Sequence, residues 1–547
     1  MDKIKEVLSG AIAALYSIEM TPEITEAPAE TGADYATNVA MKLAKVAHKS
    51  PMQVAEELKS EVEKGEVEWT LSVAAPGFIN IRMKDEYFAE GAKTLADGVA
   101  LGIEHYAGKT VITEFSDPNP FKVLHVGHFY TSVVGDGISR LLELAGAKVI
   151  RANFGGDVGL HVAKTMYALE KKDCALDELE IEDIAKCYVE GTQAYEEDEA
   201  AKAEITALNK EIYRINAEDD HEGALAQLYW RGRELSYEYF EDFYAKIGVK
   251  FDKYYPESMV AGRGLAEVRG HIGPVYEESE GAIVFRGEKM GLHTRVFINR
   301  EGVPTYEAKD VGLIFTKWDD WHFDESIVVT GNEQAEYMKV VLASVNEYAP
   351  ELVERTRHLT HGLVKLPGNV KMSSRKGNFL KAIDVLEMIR EMLGGEKADE
   401  RVVLAAIKYA FLKYKMGGDI VFDPQESVST NGNSGVYLLY SAVRAKKILA
   451  KAGAGGDESG DLSIYERNLD KKLVAYQEVI AEAVVEKAPY KVCNYLYELA
   501  QEFSRFYENV KVAGSEREGE LMQVVRAYLN IMEHGLGLLG IEIPDEM

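Results

Sequence analysis

The chain of 547 residues is poor in cysteine, has no long apolar run and carries no excess of positive charge. Its three cysteines, Cys174, Cys187 and Cys493, lie far apart in the sequence. That spacing argues against a disulfide framework and against a structural zinc site. No stretch approaches the roughly 18 consecutive apolar residues of a membrane-spanning helix. We therefore expect a cytoplasmic protein with no membrane partner and with no metal bound by its own side chains.

The negative charge of the chain is large but unevenly distributed. The formal net charge is −29 at pH 7, and much of the acid lies in residues 173–205. Such a charge, taken alone, disfavours a nucleic-acid partner. Basic clusters nevertheless remain at RAKKILAK (444–451) and KMSSRK (371–376). The net charge therefore argues against DNA as a partner but does not exclude every polyanion.

The length and the hydrophobic pattern indicate several domains. Residues 1–95 alternate helical stretches with short strands, as in a small α+β domain. Residues 96–385 contain strand, loop, helix and strand in an order that predicts a doubly wound α/β domain with a parallel sheet. Charged helical sequence interrupts this domain over about residues 165–247. Residues 386–547 are almost entirely helical in pattern, so we predict a multidomain protein that ends in an all-α domain.

The stretch HVGH (125–128) follows the first predicted strand of the central domain and opens a helix. A helix N-terminus offers unpaired backbone N–H groups and a partial positive charge, which suit phosphate. His125 and His128 share one face because they are three residues apart. Gly127 lets a flat base lie against the backbone. The spacing fits a nucleoside triphosphate site, although an isolated H-x-G-H fits two capping and packing histidines equally well.

The stretch KMSSRKG (371–377) is the second candidate for phosphate chemistry. A loop rich in lysine, serine and arginine can close over a triphosphate and stabilise charge that develops on pyrophosphate. Taken alone, such a loop is more often an ordinary solvated basic surface. Its occurrence with H-x-G-H in one α/β chain favours the functional interpretation.

Together the two stretches resemble the paired signature of class I aminoacyl-tRNA synthetases, and the details resemble arginyl-tRNA synthetase. That family shows E-F-S-S-P-N-x-x-K-x-x-H-x-G-H, and this chain has EFSDPNPFKVLHVGH at 114–128. Further similar stretches extend the resemblance over almost the whole chain: APGFIN (75–80), GGDVG (155–159), EGVPTYEAKD (301–310), VVTGNEQ (328–334), GNSGVYLLYSAVR (432–444) and GLGLLGIEIPDEM (535–547).

One departure from the class signature concerns the catalytic cation. The signature is K-M-S-K-S, whereas this chain has Ser374 in place of the second lysine. Family members with that change tend to carry a lysine three residues before H-x-G-H, where Lys122 stands. Lys371, Arg375 and Lys376 could share the task. The resemblance implies that ATP contacts Lys122, His125, Gly127, His128, Lys371, Met372 and Ser374, and that the catalytic groups are Lys122, His125, His128, Lys371, Ser373 and Arg375.

An arginine pocket requires carboxylates in a planar arrangement and a ring or hydroxyl beside them. By the resemblance, Glu114 and Asp310 hold the guanidinium and Tyr306 lies against it. Asn119 and Gln334 take the α-amino and carboxylate groups. The alternative is that Tyr306 and Asp310 form a surface pair, as residues i and i+4 of a helix, and that Asn119 is a turn residue.

The tRNA contacts are expected at both ends of the chain. Tyr437, Tyr440 and Arg444 form one helical stripe that could stack on anticodon bases, although a tyrosine stripe more often packs in a core. The family also places anticodon contacts at the terminal residue, Met547. Phe78 and Asn80 share one side of a strand and match positions that read the tRNA elbow, or else form an ordinary strand face.

The resemblance implies an arginine–tRNA ligase. With ATP and accompanying Mg²⁺ it would activate L-arginine to arginyl-adenylate and transfer arginine to the 3′-terminal adenosine of tRNA(Arg), which releases AMP and pyrophosphate. We expect a monomer. One alternative is another class I synthetase or a smaller nucleotidyltransferase, but the latter would not need the C-terminal helices. The other is a non-catalytic tRNA-binding paralogue, which should have lost pocket residues such as Glu114 and Asp310.

Overall fold

The computed structural model describes residues 2–172, 175–368, 380–451, 453, 456 and 460–547. The chain divides into two compact units. The first unit comprises residues 1–100, 447–475 and 501–531, and the second comprises residues 101–446, 476–500 and 532–547. No helix in the described ranges is long and apolar enough to cross a membrane.

The N-terminal residues form helices and an antiparallel sheet, as the sequence predicts. The strands pair in the order β1-β2-β4-β3. The serine before Pro51 closes a capping box with Gln53, which explains why a helix begins at this proline. The elements are α1 (Asp2–Tyr16), β1 (Thr25–Glu26), β2 (Tyr35–Thr37), α2 (Val39–Leu43), α3 (Pro51–Val62), β3 (Trp69–Ala74), β4 (Phe78–Met83) and α4 (Asp85–Asp97).

The central residues form the predicted α/β domain. They comprise β5 (Thr110–Glu114), α5 (Val126–Leu144), β6 (Lys148–Gly155), α6 (Leu160–Leu169), α7 (Ile181–Glu197), α8 (Glu199–Ala217), α9 (Ala224–Ile247), β7 (Lys253–Pro256), α10 (Glu257–Gly270), β8 (Glu277–Ser279), β9 (Ala282–Phe285), β10 (Arg295–Ile298), α11 (Tyr306–Trp321), β11 (Glu325–Gly331), α12 (Ala335–Asn346), α13 (Pro350–Glu354), β12 (Thr356–His361) and β13 (Val364–Lys365).

The remaining residues are mostly helical, as predicted. They comprise α14 (Ala382–Met392), α15 (Glu400–Leu412), β14 (Ile420–Val421), α16 (Pro424–Ser427), α17 (Gly435–Lys451), α18 (Ile464–Val474), α19 (Tyr476–Glu486), α20 (Pro489–Asn509) and α21 (Glu518–Leu538).

A five-stranded parallel sheet is the centre of the second unit. Its order is β12-β11-β5-β6-β7, so β5 occupies the middle. Val111 and Ile112 of β5 are fully buried, as expected for a parallel strand that helices cover on both faces. The carboxyl ends of β5, β6 and β11 reach the same edge because these strands run in parallel. In open α/β sheets this edge is where ligands bind.

A buried carboxyl group without hydrogen bonds stands out in the first unit. Asp470 of α18 is fully buried, and within the described ranges neither of its side-chain oxygens has a hydrogen-bond partner. Burial is the main cause that raises the pKa of Asp470 well above its ordinary value, and the nearby charges of Glu466 and Glu520 add to the shift. The folded protein therefore favours the protonated acid.

Replacing Asp470 by asparagine should raise the thermal unfolding temperature, and by more at pH 8 than at pH 5.5. The unfolded carboxyl ionises above about pH 4, whereas the folded one holds its proton, so the wild-type protein loses stability as the pH rises from there towards the raised pKa. Asparagine has no such titration, and we expect a gain of ~1 kcal/mol or more at pH 8. Calorimetry at the two pH values measures both effects.

The matched control for this prediction is Glu66→Gln, which removes one exposed negative charge from the same unit. It should change the unfolding temperature little at either pH, since isolated surface charges contribute little. Equal unfolding temperatures for Asp470→Asn and the wild-type protein at both pH values would contradict the prediction.

Candidate active site

The loop after β5 is held in a strained backbone conformation. Ser116, Asp117 and Phe121 have φ angles of 74°, 49° and 63°, in the left-handed region that non-glycine residues rarely adopt. Hydrogen bonds hold it: Asp117 Oδ1 accepts the backbone N–H of Phe154 at 2.8 Å, and the Phe121 N–H donates to Ser236 Oγ at 2.9 Å. Strain of this kind persists only where surrounding contacts impose it, and it is common at functional sites.

Asn119 is fixed by the end of the neighbouring strand. Its side-chain Oδ1 accepts the N–H of Gly156 at 2.8 Å. The approach requires glycine, because a Cβ at Gly155 would lie 2.3 Å from the carbonyl oxygen of Pro118, and one at Gly156 would lie 2.7 Å from Asn119 Oδ1. The amide of Asn119 is thereby oriented with its NH₂ group as the remaining donor. Asn119 is thus a positioned side chain as well as a turn residue.

His125 and His128 form a stacked pair at the N-terminus of α5. Their ring centroids are 3.8 Å apart and their planes differ by 19°. His125 Nδ1 accepts the N–H of Gly127 at 3.1 Å, and His128 Nδ1 accepts the N–H of His125 at 3.2 Å. Because both Nδ1 atoms are acceptors, the neutral rings carry their protons on Nε2. The cap therefore sets the tautomer that can donate hydrogen bonds to an anion.

Both histidines of this pair are neutral at physiological pH. Burial and, second, the charge of Lys122 lower the pKa of His125 to about 4. Burial lowers the pKa of His128 well below its ordinary value, and His125 and Lys122 add to the shift. The pair therefore supplies N–H donors and no charge, so a cation for a phosphate must come from another side chain.

A cavity lies beside the stacked pair. Its described lining contains a single cationic side chain, Lys122, whose Nζ lies 4.8 Å from the centre of the Tyr188 ring. The lining residues are Asn119, Lys122, Val123, His125, His128, Ala185, Tyr188 and Val189. Three of the residues predicted from the sequence to surround ATP therefore do line one cavity.

The chain segment that directly follows residues 369–379 contacts the start of α5. The Val126 N–H donates to the carbonyl of Leu380 at 2.9 Å, and the Ala382 N–H donates to the carbonyl of Leu124 at 3.0 Å. The chain that follows the second stretch of the paired signature therefore lies next to the first stretch. The predicted residues of that stretch lie outside the described residues: Lys371, Met372, Ser373, Ser374 and Arg375.

Glu114 ends β5 and is paired with a lysine that was not predicted from the sequence. Lys317 Nζ lies 2.7 Å from Glu114 Oε2 and 3.0 Å from Ser326 Oγ, and all three side chains are buried. A signal was available, because Lys317 follows Asp310 by seven residues and thus lies on the same face of α11. Glu114 therefore does not offer an uncompensated charge to a ligand.

The carboxyl group of Asp310, the second predicted acid of this pocket, is buried and mostly protonated at neutral pH. Burial, followed by the charges of Glu114 and Glu257, raises the pKa of Asp310 to about 8 although the Tyr337 hydroxyl donates to it. Burial and then Glu114 also raise the pKa of Asp117 well above its ordinary value. The charge of Glu114 thus opposes the ionisation of Asp117 and Asp310, an effect that a cationic ligand would relieve.

The other predicted arginine contacts are more open. Tyr306, in the first turn of α11, is 58% exposed, whereas Asp310 one turn later is 9% exposed. Lys309 lies between them in sequence and forms a buried ion pair with Glu257 at 2.5 Å. Gln334 is exposed just beyond β11. Tyr306 and Asp310 therefore do not form a surface pair, because only the tyrosine is at the surface.

Three family models together match most of the chain. The model described as tRNA synthetases class I (R), catalytic domain, matches residues 92–423, which is more than half of the sequence. The Arginyl tRNA synthetase N terminal domain matches residues 2–83, and the DALR anticodon binding domain matches residues 438–547. This chain belongs to the arginyl-tRNA synthetase family of class I. Membership of that class implies the use of ATP.

Similar proteins cover this synthetase from end to end. The arginine–tRNA ligases of Treponema pallidum and Porphyromonas gingivalis are 28% and 27% identical to it, over 98% and 100% of this chain and 96% and 100% of their own. The solved arginyl-tRNA synthetases of Thermus thermophilus and Plasmodium falciparum match with TM-scores of 0.78 and 0.79, at 24% and 20% identity. Each structure covers 100% of this chain, and 100% and 99% of its own, and shows the same fold.

The predicted anticodon residues of this synthetase lie on an accessible helix face. In α17, Tyr440 is 41% exposed and the Arg444 guanidinium lies 4.9 Å from the centre of its ring. Tyr437 contacts Tyr497 edge to face, with ring centroids 5.8 Å apart. The stripe is therefore not simply core packing. The terminal Met547 is also exposed.

The predicted elbow residues differ from each other in exposure. Phe78 is 39% exposed at the start of β4, whereas Asn80 is 8% exposed. Both lie on the side of the strand opposite Ile79 and Ile81, which are fully buried in the core of the first unit. An exposed phenylalanine is available to stack on a nucleotide, while Asn80 offers little surface.

Proposed function

We propose that this chain is an arginine–tRNA ligase that activates L-arginine in the cavity beside His125 and His128. A carboxylate oxygen of arginine attacks the α-phosphorus of ATP, the bond between the α- and β-phosphates breaks, and pyrophosphate leaves. A hydroxyl of the 3′-terminal ribose of tRNA(Arg) then attacks the adenylate carbonyl, and AMP leaves. The observation that carries the proposal is the stacked histidine pair, with both Nε2–H donors set by the cap, next to the single lysine of the described cavity lining.

The nucleotide would be bound by hydrogen-bond donors and by a positively charged side chain. The Nε2–H groups of His125 and His128 would donate to phosphate oxygens, in the partial positive charge of the α5 N-terminus. Because the histidines are neutral, Lys122 would supply positive charge. Lys371, Met372, Ser373, Ser374 and Arg375 would complete the site, a proposal that rests on sequence. Such groups act by positioning and by electrostatic stabilisation of the leaving pyrophosphate.

Arginine would be recognised by Glu114 at the end of β5 and by Asp310 near the start of α11. A guanidinium between Glu114 and Asp310 would gain charge-assisted hydrogen bonds, and Tyr306 would lie against its plane. The fixed NH₂ of Asn119 would donate to the substrate carboxylate, while Gln334 would contact the α-amino group. Citrulline and lysine should be rejected strongly, because each would leave buried acid groups imperfectly paired.

The described cavity lining contains no carboxylate. A magnesium ion would arrive bound to the triphosphate, whose charge it would neutralise. We also propose that the protein is a cytoplasmic monomer. The boundaries of the elbow-binding domain (1–95), the catalytic domain (96–385) and the anticodon-binding domain (386–547) remain predictions.

A charging assay tests the proposed function directly. The purified chain should attach arginine, and none of the other nineteen amino acids, to total tRNA in the presence of ATP and Mg²⁺. Pyrophosphate exchange with arginine, measured with and without tRNA, shows whether activation requires tRNA. Charging with glutamate or cysteine at a comparable rate would refute the substrate assignment. Full activity of a His125→Ala, His128→Ala double variant would refute the proposed pocket.

A further inference from the structure

Helix α7 lies in the charged stretch between β6 and β7 for which the sequence analysis assigned no function. One face of it nevertheless forms a wall of the cavity, because Ala185, Tyr188 and Val189 all line it together with His125 and His128. Residues separated by three and four positions share a helix face. The stretch is therefore part of the nucleotide pocket as well as a solvated surface.

Helix α7 is rigidly held where it meets the cavity. On the adjoining face Ile184 is fully buried and Cys187 is 3% exposed, in a core formed with α6, α8 and α9. The backbones of α6 and α7 touch at Gly191, where a Cβ would lie only 1.8 Å from the carbonyl oxygen of Lys164. The backbone that carries Tyr188 is thus fixed by packing, so its ring can restrict the position of a more flexible side chain.

The flexible side chain beside the Tyr188 ring is that of Lys122. Its ammonium lies 4.8 Å from the centre of the Tyr188 ring, within the distance at which a cation is attracted to an aromatic face. A lysine side chain has a four-carbon stem and many rotamers, so the ring restricts where the charge can be. The restricted position faces the stacked histidines, as the effect of Lys122 on the pKa of both rings indicates.

We propose that Tyr188 is a positioning residue that holds the Lys122 ammonium where it can contact the phosphates of bound ATP. The inference rests on the proposed function, since it requires that the cavity bind ATP. It adds that helix α7, in the stretch between β6 and β7, sets the position of Lys122, the proposed catalytic cation. Correct placement matters because Lys122 is the single cation of the described lining, and a misplaced charge stabilises the transition state poorly.

The test compares, in the presence of tRNA, the pyrophosphate-exchange kinetics of Tyr188→Leu, Tyr188→Phe, Lys122→Met and the double variant Tyr188→Leu, Lys122→Met. Tyr188→Leu should lower kcat about five- to thirty-fold, the range of a cation–π interaction, and leave the KM for arginine unchanged. Tyr188→Phe keeps the aromatic face and should stay within about twofold of wild type. In the Lys122→Met background, Tyr188→Leu should cost less than about twofold, because the partner is already absent.

The matched control is Tyr195→Leu. Tyr195 lies on the same helix and contacts a lysine in the same way, with Lys164 Nζ 4.4 Å from its ring centre, but it does not line the cavity. Its variant should keep wild-type kinetics, and circular dichroism should show that all variants are folded.

Three results would overturn the inference. They are wild-type kinetics for Tyr188→Leu, an equal loss for Tyr188→Phe, and an undiminished loss in the Lys122→Met background, which would mean that the ring contacts the nucleotide itself. Failure of the proposed function is a separate outcome, because the wild-type protein would then show no arginine-dependent exchange at all.

Discussion

Replacing Lys122 by alanine should lower the rate of arginine-dependent pyrophosphate exchange at least about 100-fold, the cost of removing one preorganised electrostatic group. The structure supplies the reason, since His125 and His128 are neutral and no second cation lines the described part of the cavity. The loss should appear mainly in kcat, because the charge on pyrophosphate is greatest as it leaves. Exchange measured at saturating ATP and arginine checks this.

The control for Lys122 is Lys164→Ala. Lys164 also lies over a tyrosine of α7, at 4.4 Å from the Tyr195 ring centre, but it is not part of the cavity lining. Its replacement should leave the exchange rate within about twofold of wild type, as for most substitutions away from a site. A near-normal rate for Lys122→Ala would mean that the basic residues within 371–376 supply the cation without it.

Replacing Asp310 by asparagine should raise the KM for arginine at least about 100-fold, since removing one partner of a buried charge pair costs about 3–5 kcal/mol. The amide retains the shape of the acid and can still accept a hydrogen bond from Tyr337, so the variant mainly loses charge. Steady-state charging at varied arginine concentration measures the change, while the KM for ATP should stay near the wild-type value.

The same carboxyl group predicts a pH dependence of arginine binding. The pKa of Asp310 is about 8 in the free protein, so below that pH the acid is mostly protonated, and a guanidinium favours its ionised form. Arginine binding should then release a proton, and the KM should fall as the pH rises from about 6.5 to 8, by at most about tenfold per pH unit for one group. Asp310→Asn should flatten this dependence.

Asp319→Asn is the control for both effects. Asp319 lies on the same helix, α11, but is exposed and forms a surface ion pair with Arg263 at 3.3 Å. Its replacement should change neither the KM for arginine nor the pH profile, because exposed ion pairs contribute little. If Asp310→Asn behaved like this control, Asp310 would have to be removed from the arginine pocket.

The local parts of the site could be predicted from the sequence. The strand–helix–strand order predicts the sheet edge, and the spacing of His125 and His128 places both rings on one face at a helix start. These inferences succeed because they depend on residues within one turn or one strand of each other. Glu114 and Asp310, which lie at the end of β5 and within α11, were indicated by the family resemblance.

The electrostatic state of the site could not be predicted. Lys317 neutralises Glu114 across 203 positions of sequence, and a lysine in a helix normally suggests solvent. Likewise, the charged stretch containing α7 suggested a surface, yet Tyr188 faces the cavity. The second signature stretch lies outside the described residues, so its meeting with the first is supported only by the flanking contacts of Leu380 and Ala382 with the start of α5.

The sequence by itself determined the fold class, the family and the kinds of side chain available for phosphate and guanidinium, because periodicity, capping and motif spacing are properties of neighbouring residues. Only the tertiary structure decided which charges are paired, that both histidines are neutral and which acid stays protonated. Those properties depend on burial and on partners brought from distant parts of the chain, since the free energy of a charge depends on its whole surroundings.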